Sequence, residues 1–229
     1  MEIDKYLGSK AASGAYQAII ASMPAHDIYI ESHLGSGAVM LRKQPAIEQY
    51  GIEINPKIAM AAGIAMPDRC NVVTGSCINF LRDFDYGGRS VLIYADPPYL
   101  WSTRTSNKRY EFDYSDTDHL ELLVMLLDCV ARGAMVMLSG YPNNLYDQVL
   151  SSWSTKEFRV MTRGGVRTEK LWMSFNPDYA VPHWYDYAGS SFTDRQRIQR
   201  KAERWAKNYA SMPAAEKLAV LAAMLQHGH

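Results

Sequence analysis

The residues best suited to chemistry stand together in Asp96-Pro97-Pro98-Tyr99. Asp96 and the Pro97 carbonyl suit hydrogen bonding to an amino group, and Tyr99 offers a face on which a planar base stacks. The run before them, Val91-Leu92-Ile93-Tyr94-Ala95, reads as a strand buried on both faces, as in the middle of a parallel sheet. The two prolines forbid continuation of the ladder and stiffen the backbone beyond it. A carboxylate and a ring are thereby held on a rigid corner at the carboxyl end of a central strand, where ligands bind in open α/β sheets. An aspartate cap followed by a Pro-Pro turn is the plainer reading of the same residues.

Upstream, Ile28-Tyr29-Ile30-Glu31 predicts another strand, which runs into Ser32-His33-Leu34-Gly35-Ser36-Gly37. Gly35 and Gly37 allow the backbone to approach a ligand, with a helix expected from Ala38 pointing its N-terminus at that ligand. Met40 stands where a dinucleotide fingerprint has its third glycine, so a pyrophosphate site is not favoured. The next strand, Tyr50 to Ile54, carries an acid, Glu53, sixteen residues after Gly37. A carboxylate there can hold a ribose diol, or serve at the start of the helix that Asn55-Pro56 begins. At the N-terminus, Tyr6-Leu7-Gly8-Ser9-Lys10 precedes a helical stretch from Ala11 to Ser22. Free N–H groups and the Lys10 ammonium suit a carboxylate or phosphate, or mark a simple helix start.

The elements that must position these groups alternate regularly. Helices are predicted over Lys57–Met66 and through Leu81, with a strand at Asn71–Val73. Ser115 caps a helix from His119 to Ala131 whose apolar face is read as Leu120, Leu123 and Leu127, with His119 structural. A strand over Ala134–Leu138 and a helix over Asn144–Leu150 follow. Strands at Lys156–Met161 and Glu169–Phe175 are joined by Thr162 to Thr168, too short for a crossover helix, so they form an antiparallel hairpin. The fold class is therefore α/β, a Rossmann-like, doubly wound, mostly parallel sheet with an antiparallel terminal hairpin, followed by a C-terminal helical tail.

Composition narrows the function classes. At 229 residues, 48% hydrophobic and 21% charged, the chain is an ordinary globular protein able to bury a full core. Net charge is zero, so attraction to nucleic acid has to come from local patches. The loop Leu100–Tyr114 interleaves Arg104, Lys108 and Arg109 with Tyr110 and other rings, a pattern that suits a flipped or single-stranded nucleotide, with an ordinary solvated loop as the plainer alternative. Arg163 and Arg167 lie in the hairpin connection. From Ser190 to His229 there are seven Lys or Arg against three Asp or Glu, a net of +4, which marks the tail as a phosphate-contacting, partner-docking or merely solvated element. Its last helix is expected to gather Leu218, Leu221 and Leu225 on one face. Three scattered cysteines without a CxxC argue for reduced thiols in a cytoplasmic setting and against zinc. The start is not a signal peptide and no apolar run reaches membrane-span length, which points to a soluble intracellular protein.

Taken together, the chain resembles the D12 (Dam-like) class of S-adenosylmethionine-dependent DNA adenine N6-methyltransferases. The matches are Tyr6–Lys10, Glu31–Gly37, Glu53, Asp96–Tyr99 and Thr168–Met173, spanning residues 1 to about 176. The resemblance implies a methyltransferase domain over 1–178 and an aromatic linker with a basic helical tail over 179–229. It implies S-adenosylmethionine as cofactor, with Tyr6, Lys10 and Glu31 toward its methionine end, Gly35 and Gly37 beneath it, Glu53 on its ribose, and Asp96 beside it. Asp96, Pro97 and Tyr99 would be catalytic, gripping the N6 amino group and stacking on an extruded adenine. DNA would be the partner, contacted by Arg104, Lys108, Arg109, Tyr110, Arg163 and Arg167, in a bacterial or phage-infected cell, without metal or membrane. The oligomeric state, the target sequence and the biological role are not implied. An RNA adenine, a cytosine N4 group, or a non-catalytic nucleic-acid-binding partner of a methyltransferase are the alternative readings. The chain departs from the class in two respects. Glu31-Ser32-His33 replaces the usual Glu-Pro-Phe, and only 42 residues separate Glu53 from Asp96, where the class places a target-recognition domain.

Overall fold

Apolar runs make the centre of the sheet. β1 (Ile28–Glu31), β4 (Val91–Ala95) and β5 (Met135–Gly140) are buried almost throughout, as strands covered on both faces must be. The structure, a computed structural model, describes residues 10, 14–103, 112–162, 165–179, 189 and 191–227. The chain forms two compact units, Met1–Trp184 and Tyr185–His229.

In the first unit, β2 (Glu48–Glu53), β3 (Asn71–Thr74), β6 (Ser154–Thr162) and β7 (Gly165–Met173) complete a seven-stranded sheet of order β3-β2-β1-β4-β5-β7-β6. The first five strands pair in parallel, while β7 is antiparallel to both β5 and β6. The helices are α1 (Ala15–Ile20), α2 (Pro56–Ala65), α3 (Cys77–Asp83), α4 (Asp116–Ala131) and α5 (Asn144–Val149). Ile30, Ile93, Leu122, Leu126, Leu138 and Trp172 belong to one apolar core that unites strands and helices. The expected α/β class, with its parallel sheet and terminal hairpin, is the architecture observed.

Three local expectations are corrected. No α-helix forms from Ala38; residues 38–43 make turns. Pro45 disfavours a helical Gln44, which leaves little over one turn. Lys43 also turns inward, 1% exposed, to donate from Nζ to Gln44 O and to Gln49 Oε1. The glycine turn therefore receives no helix dipole. In α4, Leu120 and Leu127 are 44% and 37% exposed, and the buried stripe is His119, Leu122, Leu123, Leu126 and Cys129. The true face is rotated from the one read off the leucines because tertiary packing against α3 and β5 selects it. Finally, the β6–β7 ladder continues to Thr162 opposite Gly165, so Arg167 is a strand residue opposite Val160 and not part of a loop.

The second unit holds α6 (Phe192–Ser211) and α7 (Ala214–His227). Ser191 caps α6 by accepting from the Asp194 N–H, and Tyr209 Oη donates to Lys217 O across the junction of the two helices. Leu218, Leu221 and Leu225 are exposed. Among the described residues no helix is long and apolar enough to cross a membrane.

Candidate active site

Parallel order places the carboxyl ends of β1, β2, β4 and β5 side by side, and the candidate residues occupy those ends. Ala95 pairs with Leu138, so the next residues, Asp96 and Ser139, meet at the rim, and Ser139 Oγ donates to Asp96 Oδ1 at 2.8 Å. The Tyr94 hydroxyl lies 2.9 Å from Ser139 Oγ and holds it from below. Because β7 runs antiparallel and Gly140 pairs with Lys170, Glu169 emerges beyond the end of β5, beside Tyr141.

Lys10 closes this cluster. Its ammonium, 5% exposed, lies 2.8 Å from Asp96 Oδ1 and 3.3 Å from Glu169 Oε2, and donates to the Tyr99 hydroxyl at 2.6 Å. Tyr99 in turn donates to Glu169 Oε1 at 2.8 Å. Burial opposes the charge on Lys10, but Asp96 and Glu169 outweigh it and hold its pKa well above the usual lysine range. Burial pushes the Asp96 carboxyl up; Lys10 and Ser139 pull it down, Glu169 pushes it further up, and the net shift is upward. The Tyr99 ring sits 4.3 Å from that of Tyr141 at 37°, and Pro97, Ser139 and Tyr146 lie beside them.

The glycine turn lies at the end of β1. Gly35 and Gly37 both have positive φ, 50° and 64°, a conformation that favours glycine. Glu53, at the end of β2, accepts from Gly35 N and Asn55 N, each at 2.9 Å, so its carboxylate ties the turn to the start of α2. A Cβ on Gly37 would lie 2.6 Å from Met66 Cε, so the flexible end of Met66 would have to shift, while the positive φ itself favours glycine there. Glu31 is buried beneath the turn with the Tyr29 hydroxyl 3.4 Å away. Burial, then the charge of Asp96, pushes its carboxyl up to about 8. Where the resembling class has Pro-Phe, Ser32 Oγ lies 3.0 Å from His33 Nδ1, and His33 Nε2 lies 3.0 Å from the Tyr114 hydroxyl. Burial pushes His33 down to about 3, so it is neutral.

The residues read from sequence thus converge in part. Lys10, Asp96, Pro97 and Tyr99 share one corner, while Glu31, Gly35, Gly37 and Glu53 share the neighbouring turn. Arg167 lies on the same face of β7 as Glu169, close enough to act on the Tyr141 hydroxyl. Tyr6, Arg104, Lys108, Arg109, Tyr110 and Arg163 lie outside the described residues. Glu169, Ser139 and Tyr141 were not read as site residues. Ser139 and Tyr141 carry one signal, their place at or just after the end of a buried strand; Glu169 carries only its place in the Thr168–Met173 match, on the strand that lies between β5 and β6. Among the described residues no group of His, Cys, Asp or Glu is placed to hold a metal ion.

The strand order with its antiparallel seventh strand is that of a Rossmann-like, doubly wound sheet finished by an antiparallel hairpin. Solved structures of similar course include a precorrin 8w decarboxylase of Methanobacterium thermoautotrophicum, with TM-score 0.47 and 12% identity over 76% of this chain and 98% of that one. An rRNA methylase of Streptococcus thermophilus gives 0.44 and 11% over 69% and 93%. A dimethyladenosine transferase of Plasmodium falciparum gives 0.44 and 13% over 69% and 60%. These are likenesses of fold and say nothing of the site. No family model and no curated protein sequence matches the chain.

Proposed function

We propose that the protein is an S-adenosylmethionine-dependent methyltransferase acting on the N6 amino group of a flipped adenine in DNA. The observation that carries this reading is the Asp96-Pro97-Pro98-Tyr99 corner, held at the carboxyl end of β4 with Asp96 fixed by Ser139 and Lys10.

The residues present fit the cofactor. A turn with two positive-φ glycines abuts a buried acid that accepts from the backbone N–H groups of Gly35 and Asn55, and the Glu53 carboxylate has further acceptor capacity for a diol. Gly35, Gly37 and Glu53 would hold S-adenosylmethionine, with Glu31 beneath. When bound, it supplies an electrophilic methyl group on a sulfonium.

The protein's own task is orientation and electrostatics. An exocyclic adenine amine is a poor nucleophile because its lone pair is delocalised into the ring. Asp96 and the Pro97 carbonyl, accepting its two hydrogens, favour a tetrahedral nitrogen whose lone pair is free to attack. The proton leaves to solvent after the transfer, so Asp96 acts as acceptor and not as obligatory base. Flipping the base costs a few kcal/mol, and stacking on Tyr99 returns about 1–3 kcal/mol. Since Tyr99 rests against Tyr141, an incoming base has to displace or share that ring contact. Arg167, the loop bearing Arg104, Lys108, Arg109 and Tyr110, Arg163 and the basic tail would supply phosphate contacts.

The test is radiolabelled methyl transfer to DNA and to RNA by wild type and Asp96→Ala. Label in DNA that depends on Asp96 supports the proposal. Label confined to RNA overturns the substrate, and binding of both without label overturns the enzyme reading.

A further inference from the structure

The proposed transfer uses Asp96, Pro97 and Tyr99 and leaves Glu169 without a role. Glu169 is 4% exposed in a strand whose neighbours, Arg167, Thr168 and Lys170, are polar. A buried carboxylate is costly unless it is paired. Its partners are two groups of the site itself: the Tyr99 hydroxyl, which donates to Oε1 at 2.8 Å, and the Lys10 ammonium, 3.3 Å from Oε2 in an ion pair without a hydrogen bond. Lys10 at the same time lies 2.8 Å from Asp96 Oδ1. One ammonium thus faces two carboxylates.

Were Lys10 to belong to Asp96 alone, its N–H groups would occupy the acceptor that a substrate amine needs. We infer, building on the methyl-transfer reading, that Glu169 is a positioning residue that competes with Asp96 for the Lys10 ammonium and so keeps Asp96 available to accept from the substrate amine. The hydrogen bond from Tyr99 to Glu169 couples this sharing to the pose of the stacking ring.

The charge arithmetic supports the geometry. Lys10 lowers the proton affinity of Asp96, and Glu169 raises it. The other groups acting on Asp96 are Ser139 from β5, the hydroxyls of Tyr29, Tyr94, Tyr99 and Tyr146, and Glu31 from the end of β1. Glu31, pushed up to about 8, is mostly uncharged at neutral pH. Glu169 is therefore the carboxyl that stands opposite Asp96 across Lys10 in this cluster.

Glu169→Gln keeps the volume and an acceptor for the Tyr99 hydroxyl but removes the charge. The experiment is a carbon-13 NMR titration of the side-chain carboxyls in the full chain, with Asp96 assigned through Asp96→Asn, run beside the pH profile of methyl transfer. In Glu169→Gln the Asp96 midpoint is expected to move down by about half a pH unit or more, and in Lys10→Met to move up. The acid limb of kcat should move in the same direction as the midpoint. A Glu169 that is merely structural would lower kcat at every pH and leave both midpoints in place, and that result overturns the inference. So does an Asp96 midpoint that moves while the acid limb stays. If Lys10→Met does not fold, Glu169→Gln decides alone. If wild type transfers no methyl group to any nucleic acid, the function proposal fails, while an unmoved Asp96 midpoint in the NMR titration still overturns the inference separately.

Discussion

Lys10 Nζ and Asp96 Oδ1, 2.8 Å apart, join Lys10 to the end of β4 in one ion pair, its lysine buried and its aspartate partly exposed. The pair makes the corner depend on a residue far away in the chain. It also places the positive charge where it acts on the acceptor, the stacking tyrosine and Glu169 together.

Asp96→Asn should separate chemistry from folding. The amide keeps the shape, and Lys10 keeps Glu169, so the protein folds with little change in melting temperature. Methyl transfer should fall by about 10²–10³-fold, the range for losing one preorganised electrostatic contact. Single-turnover transfer beside a thermal melt checks both halves; equal losses in both would contradict the assignment.

Lys10→Met should do the reverse and strike stability first. It leaves Asp96 and Glu169 buried without their cation, at a cost of about 3–5 kcal/mol near neutral pH. Burial, no longer opposed by Lys10, then raises the Asp96 carboxyl further above its unfolded value, so the folded state loses stability as pH rises through that range. Urea unfolding should show a smaller deficit at pH 5 than at pH 8. A deficit that grows on acidification would refute the pairing.

Glu31 gives a pH signature of its own. Its carboxyl holds its proton up to about 8 in the folded protein, against an ordinary 4.5. Between those values the unfolded chain binds fewer protons, so this group's contribution is full below about 4.5 and is lost as pH rises toward about 8. Glu31→Gln should therefore gain stability relative to wild type between pH 5 and pH 8. Denaturant midpoints at the two pH values decide it.

Two glycines should answer in opposite directions. Gly37→Ala puts an L residue at φ +64° and a Cβ 2.6 Å from Met66 Cε. The strained backbone alone should cost about 1–2 kcal/mol. Gly63, inside α2, has nothing within 4 Å of an added Cβ, so Gly63→Ala should stabilise by about 0.5–1 kcal/mol. Urea unfolding of both variants is the check, and a destabilised Gly63→Ala would show that α2 is packed otherwise.

Local signals were legible where a few neighbouring residues decide the outcome. Ser115 with Asp118 announced the start of α4, and Asn55-Pro56 announced α2. The short link from Thr162 to Thr168 announced an antiparallel pair. The helix from Ala38 failed because a buried Lys43 and Pro45 outweigh the propensity of Ala, Met and Leu. The face of α4 was misread because leucines line both of its sides, and only the neighbours of a helix determine which side is covered.

From sequence alone, the Asp96–Tyr99 corner and the strand before it were determined, since an apolar run and two prolines act on the backbone at that point and nowhere else. The glycine turn and Glu53 were determined in the same way, at adjacent strand ends of one α/β repeat. Only the tertiary structure decided that Lys10, Ser139 and Glu169 meet at Asp96. Their meeting depends on β4 lying beside β5, on β7 inserting antiparallel between β5 and β6, and on the Lys10 ammonium reaching Asp96 at the rim. Those are contacts between residues distant in the chain, and no pattern in their own neighbourhoods encodes them.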